Sequence, residues 1–146
     1  MFDKNLIKTH CSLNNSDEII RFGSSLLHEQ GVVTEKYCDE VIQREKIYPT
    51  GIASFVNFAI CHTSPQFSIG NKVCIITLKS PVIFHDMAEK DKILNISIVY
   101  LLAFNSAQGH LKALQDIVKI MSNENIANQI VFSDTDEVYN LVTKGI

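Results

Sequence analysis

The chain has 146 residues, 46% of them hydrophobic and 20% charged, with a formal net charge of −3. That length suffices for one domain, residues 1–146, with a real core, and the charge balance gives no general pull toward nucleic acid. The longest apolar stretch, Ile93 to Phe104, is broken by Asn95 and Ser97 and falls far short of the roughly 20 residues of a membrane helix, so no membrane insertion is expected.

Residues 1–15 hold a short apolar start at Leu6-Ile7 and then the polar cluster Ser12-Leu13-Asn14-Asn15. Ser16 reads as an N-cap, with Asp17 and Glu18 in a first turn where the helix dipole favours acids. Ile19, Phe22, Leu26 and Leu27 follow at helical spacing, and Gly31 ends the helix. A second cap is expected at Thr34, before a helix whose apolar stripe is Tyr37, Val41 and Ile42. Arg44 and Glu45 lie near its end, and Pro49 stops it, because residues before proline avoid helical geometry.

Residues 52–62 alternate imperfectly and read as a strand. Side chains alternate across a strand, which puts Phe58, Ile60 and His62 on one face and Ala59 and Cys61 on the other. Thr63 to Asn71 reads as a loop, Val73 to Leu78 as a central strand ended by Pro81, Asp86 to Asp91 as an exposed charged turn, and Ile93 to Ala103 as another strand. Ser106 is the expected cap of a helix with Leu111, Leu114, Ile117, Val118 and Met121 as its stripe. Asn123 to Ala127 reads as a break or short helix, Ile130-Val131-Phe132 as a small strand or connector, and Asp134 as the cap of a last helix. Helices and strands interleave, so the chain reads as a layered α/β domain.

The residues that carry chemistry cluster around one strand end. A histidine closing a strand is held firmly and still reachable, and neutral imidazole is a competent nucleophile at cellular pH. Arg44 lies upstream, and arginine binds phosphate through a planar fork of donors. His110 stands in the first turn of a helix, where free N–H groups and the dipole favour an anion. Taken residue by residue, each also has a plain reading: a structural strand-end histidine, a solvated arginine, a polar first-turn residue. Thr50, Asn57, Thr63 and Ser64 read as ordinary turn residues that lie close enough to add donors, and Glu45 as a neighbour that positions Arg44. His10, His28 and His85 have no motif around them and read as surface or structural. Cys61 and His62 are strand neighbours facing opposite ways, so a Cys–His nucleophile pair is not expected. The five histidines and four cysteines are scattered, so no metal site is expected, and no cofactor motif is present. Cys11, Cys38, Cys61 and Cys74 form no C-x-x-C pair, and Met1-Phe2-Asp3-Lys4-Asn5 lacks a signal peptide's apolar core; reduced thiols and a cytoplasmic setting are expected.

Arg44-Glu45, then Pro49-Thr50-Gly51, then Phe58-Ala59-Ile60-Cys61-His62 resembles the R-E … T-G … A-I-P-H signature of enzyme IIA domains of the sugar phosphotransferase system. The match is to the fructose/mannitol superfamily, and Tyr48-Pro49-Thr50-Gly51 is most similar to the galactitol-type branch. Lys79-Ser80-Pro81-Val82-Ile83-Phe84 resembles the family's K-P-V-V-F segment, Val99 to Ala103 its strand before the last large helix, and Gln108-Gly109-His110-Leu111-Lys112-Ala113-Leu114 the start of that helix. The likeness covers nearly the whole chain, with one departure: Cys61 stands where the family commonly has proline.

The resemblance implies a single α/β domain with a mixed, roughly five-stranded sheet flanked by helices, as in mannitol-type enzyme IIA. It implies that His62 accepts a phosphoryl group from the histidine-containing phosphocarrier protein HPr and passes it to a cysteine of enzyme IIB, with Arg44 and His110 binding the phosphate. The link to the membrane enzyme IIC would then be indirect, and the role would be uptake of a sugar or sugar alcohol, with galactitol suggested by the branch. The rival reading is a regulatory enzyme IIA-like phosphorelay that feeds no transport.

Overall fold

A computed structural model of the chain describes residues 1–145. The elements, in order, are β1 (Phe2–Cys11), α1 (Ser16–Glu29), α2 (Tyr37–Ile47), β2 (Gly51–Ile52), β3 (Phe58–Cys61), a single 3₁₀ turn (Pro65–Phe67), β4 (Asn71–His85), β5 (Ile93–Phe104), α3 (Ala107–Met121), α4 (Glu124–Phe132) and α5 (Thr135–Lys144). The strands form one mixed sheet in the order β1-β4-β5-β3-β2. β1 runs parallel to β4 and β3 parallel to β5, whereas β4–β5 and β2–β3 are antiparallel.

Helices cover both faces of this sheet, so the central strands are apolar on both sides and read as near-continuous hydrophobic runs. On one face Ala59, Cys61, Ile76, Val99 and Leu101 pack against Ile19, Ile20 and Leu27 of α1 and Val41 and Ile42 of α2. On the other, Phe58, Ile60, Ile98, Tyr100 and Leu102 pack against Ala113, Ile117 and Ile120 of α3 and against α4 and α5. The alternation expected for residues 58–61 is therefore the observed one. Gly23 lets α1 lie close on the sheet, since a Cβ there would stand 2.8 Å from a methyl of Leu101. Tyr37 is fully buried at the start of α2 and donates its hydroxyl to the Leu102 carbonyl at 2.8 Å, tying that helix to β5.

Several sequence-based expectations are corrected by the fold. Residues 2–11 form a strand, β1, that was not foreseen. It is an edge strand with only Leu6 and Ile7 buried, one on each face, so it carries no alternating pattern. The cap of α1 is Asn15, whose side chain accepts from the Glu18 N–H, and Ser16 is already helical. Thr34 does not cap α2 with its hydroxyl; its backbone carbonyl accepts from Tyr37 N–H, and the helix begins there. The expected strand over 52–62 is two pieces, β2 and β3, separated by a loop.

Pro81 does not end β4, which continues to His85. It falls where the β4–β5 register shifts between Thr77 and Val82, a place where a missing N–H is tolerated. Ile130-Val131-Phe132 belongs to the helix α4, not to a strand. Asn123 caps it, and Ala127 and Ile130, one helical turn apart, are its buried residues. In α3 the buried side is Ala113, Ile117, Ile120 and Met121, while Leu111 and Val118 of the expected stripe face solvent. Ser106 and Asp134 cap α3 and α5 as expected.

Candidate functional site

β3 and β5 are parallel, so their carboxyl ends lie together, and this is the edge where open α/β sheets hold ligands. His62 follows directly on β3. α3 starts three residues after β5 and brings its N-terminal turn, with His110, to the same edge. The two imidazoles meet with ring centroids 4.6 Å apart and planes tilted by 52°. Arg44 arrives from the far end of α2, on the other side of the sheet edge. A hollow of about 340 Å³ is lined by Arg44, Thr50, His62 and Leu114, with Tyr48 and Lys90 at its rim. The three residues singled out from sequence thus converge on one place.

His62 is aimed by a single hydrogen bond. Its Nδ1–H donates to the Ile60 carbonyl at 2.9 Å, since a carbonyl only accepts. That leaves Nε2 as the nitrogen with a free lone pair. Burial is the main cause that pushes the imidazole pKa down to about 4, opposed by the Ile60 hydrogen bond and helped by the positive fields of His110 and Arg44. His110 is lowered as well, by burial first and by Arg44 second. Both rings are therefore neutral at cellular pH, one ready to attack and one ready to donate.

These shifts fix a first expected result. An unperturbed histidine takes up its proton near pH 6.5. In nitrogen-detected NMR titration, His62 should remain neutral, in the Nδ1–H form, down to pH 5.5 and titrate near 4. Because the unfolded chain binds that proton at higher pH than the folded one, the stability linked to His62 is full above about pH 6.5 and is lost as pH falls toward 4. A midpoint of 6 or higher, or an Nε2–H form, would contradict the geometry.

Arg44 lines the hollow with a side chain that forms no ion pair among the described residues. Its Nε is buried and has no hydrogen-bond partner, while its guanidinium carbon stands 5.4 Å from the centre of the Tyr48 ring. The residue lines the hollow, and arginine binds anions through its planar fork of donors. Tyr48 is shared: Lys90 Nζ stands 5.1 Å from the centre of the same ring. Lys90 was not identified from sequence, where it read as part of an exposed charged turn. That turn is fastened to the site. Met87 N–H donates to the Gly51 carbonyl at 2.8 Å, and His85 Nδ1–H donates to the Lys90 carbonyl at 2.7 Å. His85 is thus structural, as expected.

Glu45 does not touch Arg44 by any hydrogen bond or ion pair among the described residues. It turns inward and accepts from both Thr50 N–H (2.8 Å) and Thr50 Oγ–H (2.7 Å), and burial raises its pKa. Thr50 Oγ1 also lies 3.9 Å from Cys61 Sγ. Its hydroxyl proton is thereby committed to Glu45, so Thr50 shapes the turn more than it serves a ligand. Gly51 is required by the close approach beside it, where a Cβ would stand 2.5 Å from the His85 carbonyl oxygen. Cys61 is fully buried, with burial driving its thiol pKa well up, and acts as core filler in place of the proline. Asn57 holds Ser54 N–H and the Asn95 carbonyl at the opposite end of β3, away from the site.

The class defined by this fold and edge is a small three-layer α/β domain with a neutral histidine presented beside an arginine. The sequence model of the phosphoenolpyruvate-dependent sugar phosphotransferase system EIIA 2 family matches residues 1–145, and the chain belongs to that family. A mannitol-specific phosphotransferase enzyme IIA component from Geobacillus stearothermophilus is 26% identical over 145 residues, covering 97% of this chain and 94% of that protein. Enzyme IIA of the mannitol system in its complex with phosphorylated enzyme IIB from Escherichia coli superposes with a TM-score of 0.83 at 20% identity, covering 99% of both chains. The nitrogen regulatory protein IIA-Ntr from Neisseria meningitidis superposes with a TM-score of 0.76 at 19% identity, covering 97% of this chain and 95% of that one. The mixed five-stranded sheet expected from the resemblance is the observed one. The galactitol-type branch finds no counterpart in these relatives, which bear mannitol and nitrogen-regulation names. Among the described residues, no helix is long and apolar enough to cross a membrane.

Proposed function

We propose that this chain is a phosphocarrier in which His62 Nε2 takes a phosphoryl group from the phosphohistidine of HPr and passes it to a cysteine of enzyme IIB, in uptake of a sugar or sugar alcohol. The observation that carries the proposal is the Nδ1–H···O=C bond to Ile60, which leaves Nε2 free on a neutral ring beside the unpaired Arg44 Nε. In the first half-reaction the Nε2 lone pair attacks phosphorus, and the donor's nitrogen leaves with the electron pair of the broken P–N bond. In the second, a partner thiolate attacks, and the P–Nε2 electron pair returns to His62. No acid or base is consumed in either step, so catalysis reduces to in-line placement and neutralisation of the phosphoryl oxygens. Arg44 and His110 supply the donors, and Lys90 adds positive charge at the rim.

A carrier must meet two different proteins with one face. The residues around the hollow fit that need: Tyr48, Met87 and Leu111 are 58%, 50% and 55% exposed, and Ile69 is 59% exposed near the start of α3, where Asn105 Nδ2 bonds its carbonyl. Two other aromatic residues near the site in sequence, Phe55 and Phe67, do not belong to this face. Phe67 is half-buried against the core, and Phe55 lies at the other end of β3, beside Ser54 and the last turn of α3. Contacts of such transient partners are small, below about 1,200 Å².

A regulatory relay that feeds no transport is the second reading, favoured by the likeness in fold to the nitrogen regulatory protein. Incubation with enzyme I, HPr and phosphoenolpyruvate should attach one phosphate, stable in base and labile in acid, which purified mannitol- or galactitol-type enzyme IIB then removes. Phosphorylation that no enzyme IIB can discharge would favour the relay. Absence of any phosphohistidine in wild-type protein would end both readings.

A further inference from the structure

Glu45 is half-buried in the last turn of α2 and has no cationic partner; the ion pairs among the described residues are Lys4–Asp136, Lys72–Asp3 and Lys112–Asp116. Drawing a carboxylate out of water without a counter-charge is unfavourable, and burial raises its pKa accordingly. One residue compensates it. Thr50 N–H donates to Oε2 and Thr50 Oγ1–H to Oε1, so two donors from a single residue span both carboxylate oxygens. Bonds of this kind, to an ionised acceptor, are stronger than neutral ones.

The constraint passes beyond Thr50 along two branches. In the first, the Thr50 carbonyl accepts from Ile60 N–H at 3.4 Å, and the Ile60 carbonyl accepts from His62 Nδ1–H at 2.9 Å. In the second, Thr50 gives its one hydroxyl proton to Glu45, so Cys61 S–H is the donor across the 3.9 Å to Thr50 Oγ1. Cys61 is fully buried and directly precedes His62. The two branches grip residues 60 and 61, which set the direction in which His62 leaves β3. The strand ladder alone does not do this on both sides. Toward β5 the pairing of β3 runs on to Cys61↔Leu101, but toward β2 it ends at Gly51↔Ala59. On that side the end of β3 is held by Thr50, and Thr50 is held by Glu45.

We propose that Glu45 is a positioning residue for His62: its carboxylate, acting through Thr50 and Cys61, aims Nε2 for in-line phosphoryl transfer. The inference rests on the phosphocarrier reading, because aim matters to a ring that must meet phosphorus in line. Glu45 itself touches neither the phosphoryl group nor a partner. Its effect on rate is the effect of its grip on the strand end.

The test uses the whole chain and four variants. Glu45→Gln keeps the size of the side chain and removes its charge. Thr50→Val keeps the shape and removes the hydroxyl, and Thr50→Ser restores it. Glu40→Gln, an exposed charge loss on the same helix, is the control. The first readout is nitrogen-detected NMR of the free protein. Wild type, Thr50→Ser and Glu40→Gln should hold His62 in the Nδ1–H form, whereas Glu45→Gln and Thr50→Val should populate the Nε2–H form as well. The second is single-turnover acceptance from phosphorylated HPr. The rate at saturating donor should fall about 10- to 100-fold in Glu45→Gln and Thr50→Val, the scale of a small misplacement, with half-saturation unchanged within about twofold. Thr50→Ser should recover most of that rate. The amide spectrum checks folding, and if Glu45→Gln does not fold, the Thr50→Val and Thr50→Ser pair decides by the same readouts. The proposal would be overturned by a folded Glu45→Gln with wild-type rate and ring form. A loss confined to half-saturation would also overturn it, since that places Glu45 in docking, as would an equal loss in Glu40→Gln. If wild type accepts no phosphoryl group, the carrier reading fails separately, and the ring readout alone upholds or overturns the role of Glu45.

Discussion

His62→Ala should abolish phosphoryl acceptance, while His110→Ala should leave a protein that still acquires one phosphate, slowly. The two rings touch, so proximity to the site does not separate them. Their surroundings do. His62 has its Nδ1–H fixed to the Ile60 carbonyl, so its tautomer and direction are set, and its pKa of about 4 keeps the nucleophilic nitrogen unprotonated. His110 has no ring hydrogen bond among the described residues, and its ring sits in the N-terminal turn of α3, where it can turn an N–H toward a phosphoryl oxygen. Removing a nucleophile removes the covalent intermediate. Removing one charge-assisted hydrogen bond loses roughly 1.5–3 kcal/mol, a slowing of roughly 10- to 150-fold. His110→Gln, which keeps a donor, should recover part of that loss. Rapid-quench kinetics of both half-reactions reads all three variants, and the amide spectrum checks that each is folded. If folded His110→Ala lost phosphorylation entirely and His62→Ala retained it, the roles would be exchanged.

Much of the architecture was legible because the relevant signals are local. Asp134 and Ser106 announce their helices by capping, and Ile98 to Phe104 announces a doubly buried stretch of strand by its unbroken apolarity. What stayed hidden depends on pairing at a distance. β1 is a strand because β4 offers it an edge, not because its own residues alternate. Pro81 looked like a stop, but the register irregularity that excuses it is a property of two strands together. The triple Ile130-Val131-Phe132 has strand-forming residues, and helix spacing to Ala127 overrides them once α4 packs on the core. The same division holds at the site. His62, Arg44 and His110 were visible through a motif. Lys90 was not, since only the tertiary fastening of its turn by Met87 and His85 brings it to Tyr48. Glu45 beside Arg44 suggested a pair, but helical neighbours point about 100° apart, and Glu45 faces Thr50 instead.

Arg44→Ala should slow phosphoryl transfer by roughly 10- to 150-fold in both directions, the loss of one charge-assisted contact. The phosphoryl group carries its charge on oxygens that must be neutralised while bonds to the incoming and leaving atoms are both partial. Arg44 is placed for this because it lines the hollow and forms no ion pair among the described residues, so its guanidinium meets an anion without first giving up another charged partner. Arg44→Lys should recover only part of the rate, because an ammonium cannot make the forked contact. The substitution also has a signature that a merely structural role would not give. Arg44 contributes to lowering the pKa of both His62 and His110, so Arg44→Ala should raise both titration midpoints while leaving the fold intact. Lys90→Ala should act differently. Its ammonium sits over the exposed Tyr48 ring at the rim, where salt screens charge over about 8–10 Å, so its effect should shrink as salt rises from 0.05 to about 0.5 M. The effect of Arg44→Ala should persist across that range. Transfer as fast as wild type in Arg44→Ala, with unmoved histidine midpoints, would remove Arg44 from the phosphoryl site and leave Lys90 and His110 as its neutralising groups.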